Sequence, residues 1–191
     1  MIYATFFMEQ HLGHQTLYQN LRAFLDNSNR IHPTWVPITY TGTNPFLEQL
    51  PLLSTHLRGS LAGRLQVQRG LEVEPCDVLY FNTQVPAALQ NPQAKGKPYL
   101  LATDITPIQY DQLAGPYEHR VDSNDPIRSY KRRVNTHLFQ CAALLLPWSS
   151  WAAGSLVRDY GVDPKRIEVM PVGVDLERWH PADNALRSKA R

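Results

Sequence analysis

The chain has 191 residues, 43% of them hydrophobic, enough to bury a substantial core in one domain of ordinary size. Its 19 basic and 17 acidic residues leave a formal charge of +2, too balanced to mark nucleic acid as the main partner. There is no run of 18 or more apolar residues and no basic-flanked leader, and the two cysteines form no CxxC pair, so the composition suggests a cytoplasmic protein with two reduced, buried thiols, each at the start of a strand.

Residues 1–8 (MIYATFFM) open the chain with aromatic and β-branched residues and read as a first strand. Residues 9–14 make a turn, and Leu17, Leu21, Phe24 and Leu25 give helical spacing over residues 15–26. Residues 34–41 (TWVPITYT) form a second strand, placed at an edge by Pro37. Phe46, Leu50, Leu53, Leu57, Leu61 and Leu65 continue as one helix or two abutting ones. Strands at 77–82 and 97–103 enclose a short helix at Ala87–Leu89. The stretch 104–125 is irregular, with a short helix near 110–113, and Ile127 to Cys141 describes a long helix.

The stretch 141–179 is the most ordered in pattern. Ala142 to Leu146 is a buried strand ended by Pro147, and Ser149 or Ser150 caps a helix whose buried positions fall at Ala153, Leu156, Val157 and Tyr160. Gly161 supplies the left-handed residue that closes it. Ile167, Val169 and Val172 make a further strand, ending in the turn Gly173-Val174-Asp175. About six strands alternating with helices imply an α/β fold, an open and mostly parallel sheet with helices on both faces.

In such a sheet ligands gather at the carboxyl ends of the strands, and a helix N-terminus offers free amides to phosphate or hydroxyl groups. The loop His11-Leu12-Gly13-His14 lies where the first strand meets the first helix, so Gly13 and His14 are binding candidates, although a plain turn with surface histidines fits equally well. His11 and His14 lack a third ligand at metal-binding spacing. Asp104, just past the strand ending at Thr103, can accept from a hydroxyl or simply make an Asx turn before Pro107. Arg128, Lys131, Arg132 and Arg133 sit on the long helix beside Ile127, Tyr130 and Val134; a basic amphipathic helix of this kind can lie peripherally on an anionic membrane, and is more often an ordinary solvated face. The single glycine of the first loop does not make a dinucleotide fingerprint, and no P-loop, Gly-x-Ser-x-Gly or His-Glu-x-x-His occurs.

Ser149-Ser150-Trp151-Ala152-Ala153, Leu156-Val157-Arg158-Asp159-Tyr160-Gly161-Val162, Lys165-Arg166-Ile167 and Pro171-Val172-Gly173-Val174-Asp175 follow one another in an order that resembles the N-terminal domain of family 4 glycosyltransferases. The resemblance implies a GT-B architecture, in which a Rossmann-like N-terminal domain binds the acceptor and a second domain holds most of the nucleotide-sugar. It implies transfer with retention of configuration, no bound metal or other cofactor, a carbohydrate or lipid-linked acceptor, and a donor domain supplied in cis or in trans. On this chain Gly13, His14, Asp104 and Ser149 would line the cleft, with Gly173 and Asp175 at the hinge. Residues 1–181 would form the domain and 182–191 a linker toward the donor half.

Two departures accompany it. The family often has a His before the acidic residue on the rim after the fourth strand, and Thr103 stands there in this chain. The Glu-x7-Glu motif of the donor domain does not occur, so the chain alone would be inactive or incomplete. A non-catalytic α/β binding module and one half of a nucleotide-sugar epimerase remain as alternatives.

Overall fold

The computed structural model describes residues 1–11, 13–41, 55–90, 96–116 and 125–173. Its centre is a five-stranded sheet, β1 (Ile2–Glu9), β2 (Ile31–Ile38), β3 (Val78–Phe81), β4 (Tyr99–Thr103) and β5 (Leu144–Pro147), with spatial order β2-β1-β3-β4-β5 and every pair parallel. Parallel strands need crossover connections, and among the described residues these contain α1 (Gly13–Leu25), α2 (Thr55–Leu71), α3 (Gln84–Leu89), α4 (Pro107–Gln112) and α5 (Asp125–Cys141), while α6 (Ser150–Tyr160) follows β5.

Alternation along β1 divides the core into two layers. Phe7 belongs to the layer that holds Val67 and Leu71 of α2, Leu138 and Phe139 of α5 and Leu156 and Tyr160 of α6, while Ala4, Phe6 and Met8 belong to the layer that holds Leu17 of α1. Helices therefore cover both faces, as the alternating sequence pattern requires. Phe7 and Phe81 stack at 4.4 Å between ring centroids, and Gly70 is the glycine that lets α2 come this close, because a Cβ there would lie 2.5 Å from the Phe7 ring. Pro33 and Pro37 both lie on β2, which among the described residues pairs only with β1, so the missing amides cost no second ladder there.

Several boundaries differ from the sequence reading. The strand expected from Ala142 begins at Leu144, because α5 runs on through Cys141 before the chain can extend. Cys141 thus ends a helix and is half-buried, with Sγ 3.6 Å from His137 Nδ1, whereas Cys76 is buried; both thiols are free. Ser149 caps α6 and Gly161 closes it at φ 65, as expected, but the helix is turned about one position from the expected phase. Ala152, Ser155, Leu156 and Tyr160 are buried and Val157 is 39% exposed, because the Ser155 hydroxyl is drawn inward by Thr106 Oγ1 at 2.7 Å. Phe24 of α1 and Ile127 and Tyr130 of α5 are exposed despite their apolar spacing.

The expected strand at 167–172 is an extended segment beside β5. Ile167 bridges Leu145, the Glu168 amide donates to the Leu145 carbonyl at 2.9 Å and the Met170 amide to the Pro147 carbonyl at 2.9 Å, before Pro171 breaks the ladder. The expected helix residues Phe46, Leu50 and Leu53, the turn residue Asp175 and the 182–191 linker lie outside the described residues. Among the described residues no helix is long and apolar enough to cross a membrane.

Candidate functional site

The strand order reverses direction at β1. From β1 the chain crosses to β2 on one side, and all later strands add on the other, so the loops after β1 and β3 diverge at their carboxyl ends. This switch point is where open α/β sheets leave a crevice. A cavity of ≈ 500 Å³ lies there, lined by Glu9 and the loop residues His11, Gly13 and His14, by Thr83 and Gln84 after β3, by Asp104 after β4, and by Tyr110 and Trp148.

Glu9 is the last residue of β1 and is 9% exposed. Its amide donates to Asn82 Oδ1 at 2.8 Å, and Asn82 Nδ2 donates to the Glu9 carbonyl at 3.4 Å, so the ends of β1 and β3 are tied across the crevice. Burial raises the Glu9 carboxyl above its ordinary range; His14, His11 and the Tyr40 hydroxyl pull it back, and Asp104 adds to the rise. Tyr40, a non-glycine residue at φ 61, has its phenol pushed up by burial and by the Glu9 charge. The His11 ring stacks on Tyr40 at 5.4 Å and 8°. His14 tilts against Trp148 at 5.4 Å, and its Nδ1 is buried without a hydrogen-bond partner among the described residues.

Of the residues singled out from sequence, Gly13, His14 and Asp104 come together on this cavity. A Cβ at Gly13 would meet nothing within 4 Å, so the backbone there is open to close approach. Asp104 makes the Asx-type bond as well, its Oδ1 accepting from the Ile105 amide at 2.9 Å. Ser149 is not on the cavity wall. Its hydroxyl accepts from the Ala152 amide at 3.2 Å as the cap of α6, and its neighbour Trp148 lines the cavity instead. Gly173 is held on α1 through its carbonyl, which accepts from Asn20 Nδ2 at 3.1 Å.

Thr103, at the position where the family often has a His, is fully buried, with its hydroxyl 2.7 Å from Gln84 Oε1 and 2.9 Å from the Ile105 carbonyl. It faces the support of the rim and is not among the lining residues. Beneath the rim, Thr106, Gln109 and Ser155 form a buried polar set. Gln109 Nε2 donates to the Trp151 carbonyl at 2.9 Å, and Thr106 and Gln109 form a capping box that fixes α4.

Glu9, Tyr110 and Trp148 were not anticipated from sequence. The only signal for Glu9 is an acid ending an otherwise apolar strand, and for Trp148 an indole directly after a strand-ending proline. Among the described residues no group of three or more His, Cys, Asp or Glu is disposed to hold a metal ion.

Comparison with known proteins gives a consistent family. Residues 26–178 match the family model described as Glycosyltransferase Family 4, a match that begins after α1 and so leaves out the His11–His14 loop. A D-inositol 3-phosphate glycosyltransferase of Streptomyces scabiei is 38% identical over 70 residues, 37% of this chain and 16% of that protein. The solved structures of Anabaena Alr3699/HepE, one with UDP and one with UDP and glucose, share the fold at TM-scores of 0.55 and 0.54 with 14% and 13% identity. They are matched over the whole of this chain and about half of theirs, so the chain spans half the length of those two-fold longer proteins. With most of its length matched by the family model, the chain belongs to glycosyltransferase family 4.

Proposed function

We propose that this chain is the acceptor-side domain of a retaining glycosyltransferase that moves a sugar from a nucleotide-sugar to an acceptor hydroxyl, and that the switch-point cavity is its half of the active site. The observation that carries this reading is the convergence of Glu9, His14 and Asp104, from the ends of β1, α1 and β4, on one cavity. Carboxylates and imidazoles accept and donate hydrogen bonds to sugar hydroxyls, and α1 begins, at Gly13 and His14, on the same cavity. Family membership and the name of the Streptomyces scabiei relative support it.

In retaining transfer the bond from the anomeric carbon to the leaving phosphate oxygen breaks, the bond to the acceptor oxygen forms on the same face, and the acceptor proton passes to the leaving diphosphate. The described residues of the cavity offer no Lys or Arg to meet that leaving charge. A donor half, in cis or in trans, supplies it in this reading, and the chain alone is inactive because positioning and charge stabilisation both need the second half. No resident metal or cofactor is required, the acceptor is a carbohydrate or lipid-linked molecule, and the protein works in the cytoplasm, peripheral to a membrane where the acceptor is lipid-linked.

The test is an assay of purified 1–191 with a panel of nucleotide-sugars and acceptors, alone and joined to a family 4 donor domain carrying Glu-x7-Glu. Transfer only by the joined protein, abolished by Asp104→Asn, is the expected result. Robust transfer by 1–191 alone would overturn the incompleteness, and acceptor binding without transfer in either form would favour a non-catalytic module.

A further inference from the structure

On one face of the sheet α2 and α5 each run for 17 residues, about 26 Å, whereas α3 between them has 6 residues and spans about 9 Å. The short helix cannot fill the space between its longer neighbours, and a groove of ≈ 650 Å³ remains there. Its floor is apolar, made by Ala87, Ala88 and Leu89 of α3 and by Val134 and Leu138 of α5. Arg64 of α2 and Arg133 of α5 stand on it, both exposed, and among the described residues neither guanidinium has an ion pair or hydrogen bond. No Asp or Glu is among the described lining residues, so the charge of the groove is uncompensated.

Along α5, Ile127, Tyr130, Val134 and Leu138 fall on one stripe, at i, i+3, i+7 and i+11. Leu138 is buried in the core, but the stripe loses its cover toward the start of the helix, where Tyr130 is 68% and Ile127 47% exposed. Tyr130 lines the groove with its side chain open to solvent.

We propose that this groove is the docking site for an acidic amphipathic helix of a partner protein, whose apolar stripe lies on the α3 floor and against Tyr130 and whose flanking carboxylates meet Arg64 and Arg133. Guanidinium groups pair with carboxylates in bidentate geometry, and an exposed tyrosine beside an apolar floor is a natural anchor. Two other occupants of a cationic apolar surface fit less well. A bilayer is flat and does not reach a floor that lies between two longer helices. A second copy would have to present an acidic helix, and the described helices of this chain carry at most one Asp or Glu each. The groove shares no described lining residue with the switch-point cavity, so the docking site stands independently of the transferase reading.

The probe is a synthetic helical peptide of about 14 residues, with leucines at i, i+3, i+4 and i+7 and glutamates on both flanks, titrated into the full chain and read by fluorescence anisotropy. Its control carries lysine in place of every glutamate. Saturable binding of the glutamate peptide is expected, about tenfold tighter than that of the control and weakened about tenfold by Arg64→Gln or by Arg133→Gln. Tyr130→Ser should weaken it as well, whereas Arg132→Gln, on α5 but outside this groove, should leave the affinity unchanged. All four side chains are exposed, and thermal unfolding of each variant is followed in parallel to separate lost binding from lost fold. No saturable binding, equal affinity for the two peptides, or equal losses in Arg133→Gln and Arg132→Gln would overturn the proposal. Binding to phosphatidylglycerol but not phosphatidylcholine vesicles, lost in Arg64→Gln and Arg133→Gln while the peptide does not bind, would replace the partner helix by a membrane. Concentration-dependent dimerisation in analytical ultracentrifugation, abolished by Tyr130→Ser, would replace it by a second copy.

Discussion

Asn82 and Glu9, 73 residues apart in the chain, exchange two hydrogen bonds across the carboxyl ends of β3 and β1, the Glu9 amide donating to Asn82 Oδ1 and Asn82 Nδ2 donating to the Glu9 carbonyl. Both residues are buried, so the amide side chain does the work of an extra rung where the two strands have begun to diverge. Asn82→Ala leaves the Glu9 amide unsatisfied in a dry site and should cost roughly 1–3 kcal/mol in urea unfolding. Because Glu9 leads directly into the His11–His14 loop, on the proposed acceptor-side reading the same variant should weaken acceptor binding more than a remote substitution of equal stability cost.

The raised Glu9 carboxyl makes a separate prediction about pH. Its native form holds the proton more tightly than the unfolded chain does, so its contribution to stability is fully present below the ordinary Glu value of about 4.3. That contribution is lost as pH rises from there through the native pKa of Glu9. Glu9→Gln removes the ionisation, and should therefore match the parent in acid and become the more stable of the two toward neutral pH. Unfolding free energies of both proteins measured from pH 4 to 8 check this; a constant offset across the range would show that burial does not disfavour the Glu9 charge.

Local rules carried much of the fold. Gly161, Ser149 and the edge prolines of β2 act through short-range geometry, and each stands where its chemistry requires. What the sequence did not disclose depends on partners far along the chain. Ser155 is buried because Thr106, 49 residues away, receives it, and no hydrophobic period can show that. Tyr130 is exposed because only the later turns of α5, around Leu138 and Phe139, reach the sheet. For the site, Gly13, His14 and Asp104 followed from the rule that strand ends bind ligands, whereas Glu9 and Trp148 became candidates only once the switch point fixed which ends lie together.

Gln109 illustrates the cost of such non-local polar contacts. It is fully buried, its Oε1 faces the Thr106 amide at 3.2 Å and its Nε2 donates to the Trp151 carbonyl at 2.9 Å, joining α4 to α6. Gln109→Met keeps the volume but strands the Trp151 carbonyl and the Thr106 amide. A loss of roughly 1–3 kcal/mol in denaturant unfolding is expected. Gln109→Glu at low pH, where the carboxylic acid can still donate to the Trp151 carbonyl, should recover part of that stability.

Glycines on two helices give opposite expectations from one physical account. At Gly70 of α2 a Cβ would lie 2.5 Å from Phe7 and 2.9 Å from both methyls of Val36, all of them within the packed layer between α2 and the sheet. The added methyl must push the helix outward, so Gly70→Ala should destabilise by roughly 1–3 kcal/mol despite its better helix propensity. At Gly154 of α6 a Cβ would meet nothing within 4 Å, and the left-handed region is not needed. There the gain in helix propensity stands alone, and Gly154→Ala should stabilise by about 0.5–1 kcal/mol. Thermal unfolding of the two variants against the parent checks both signs together, and a stabilising Gly70→Ala would mean that α2 can retreat from β1 at little cost.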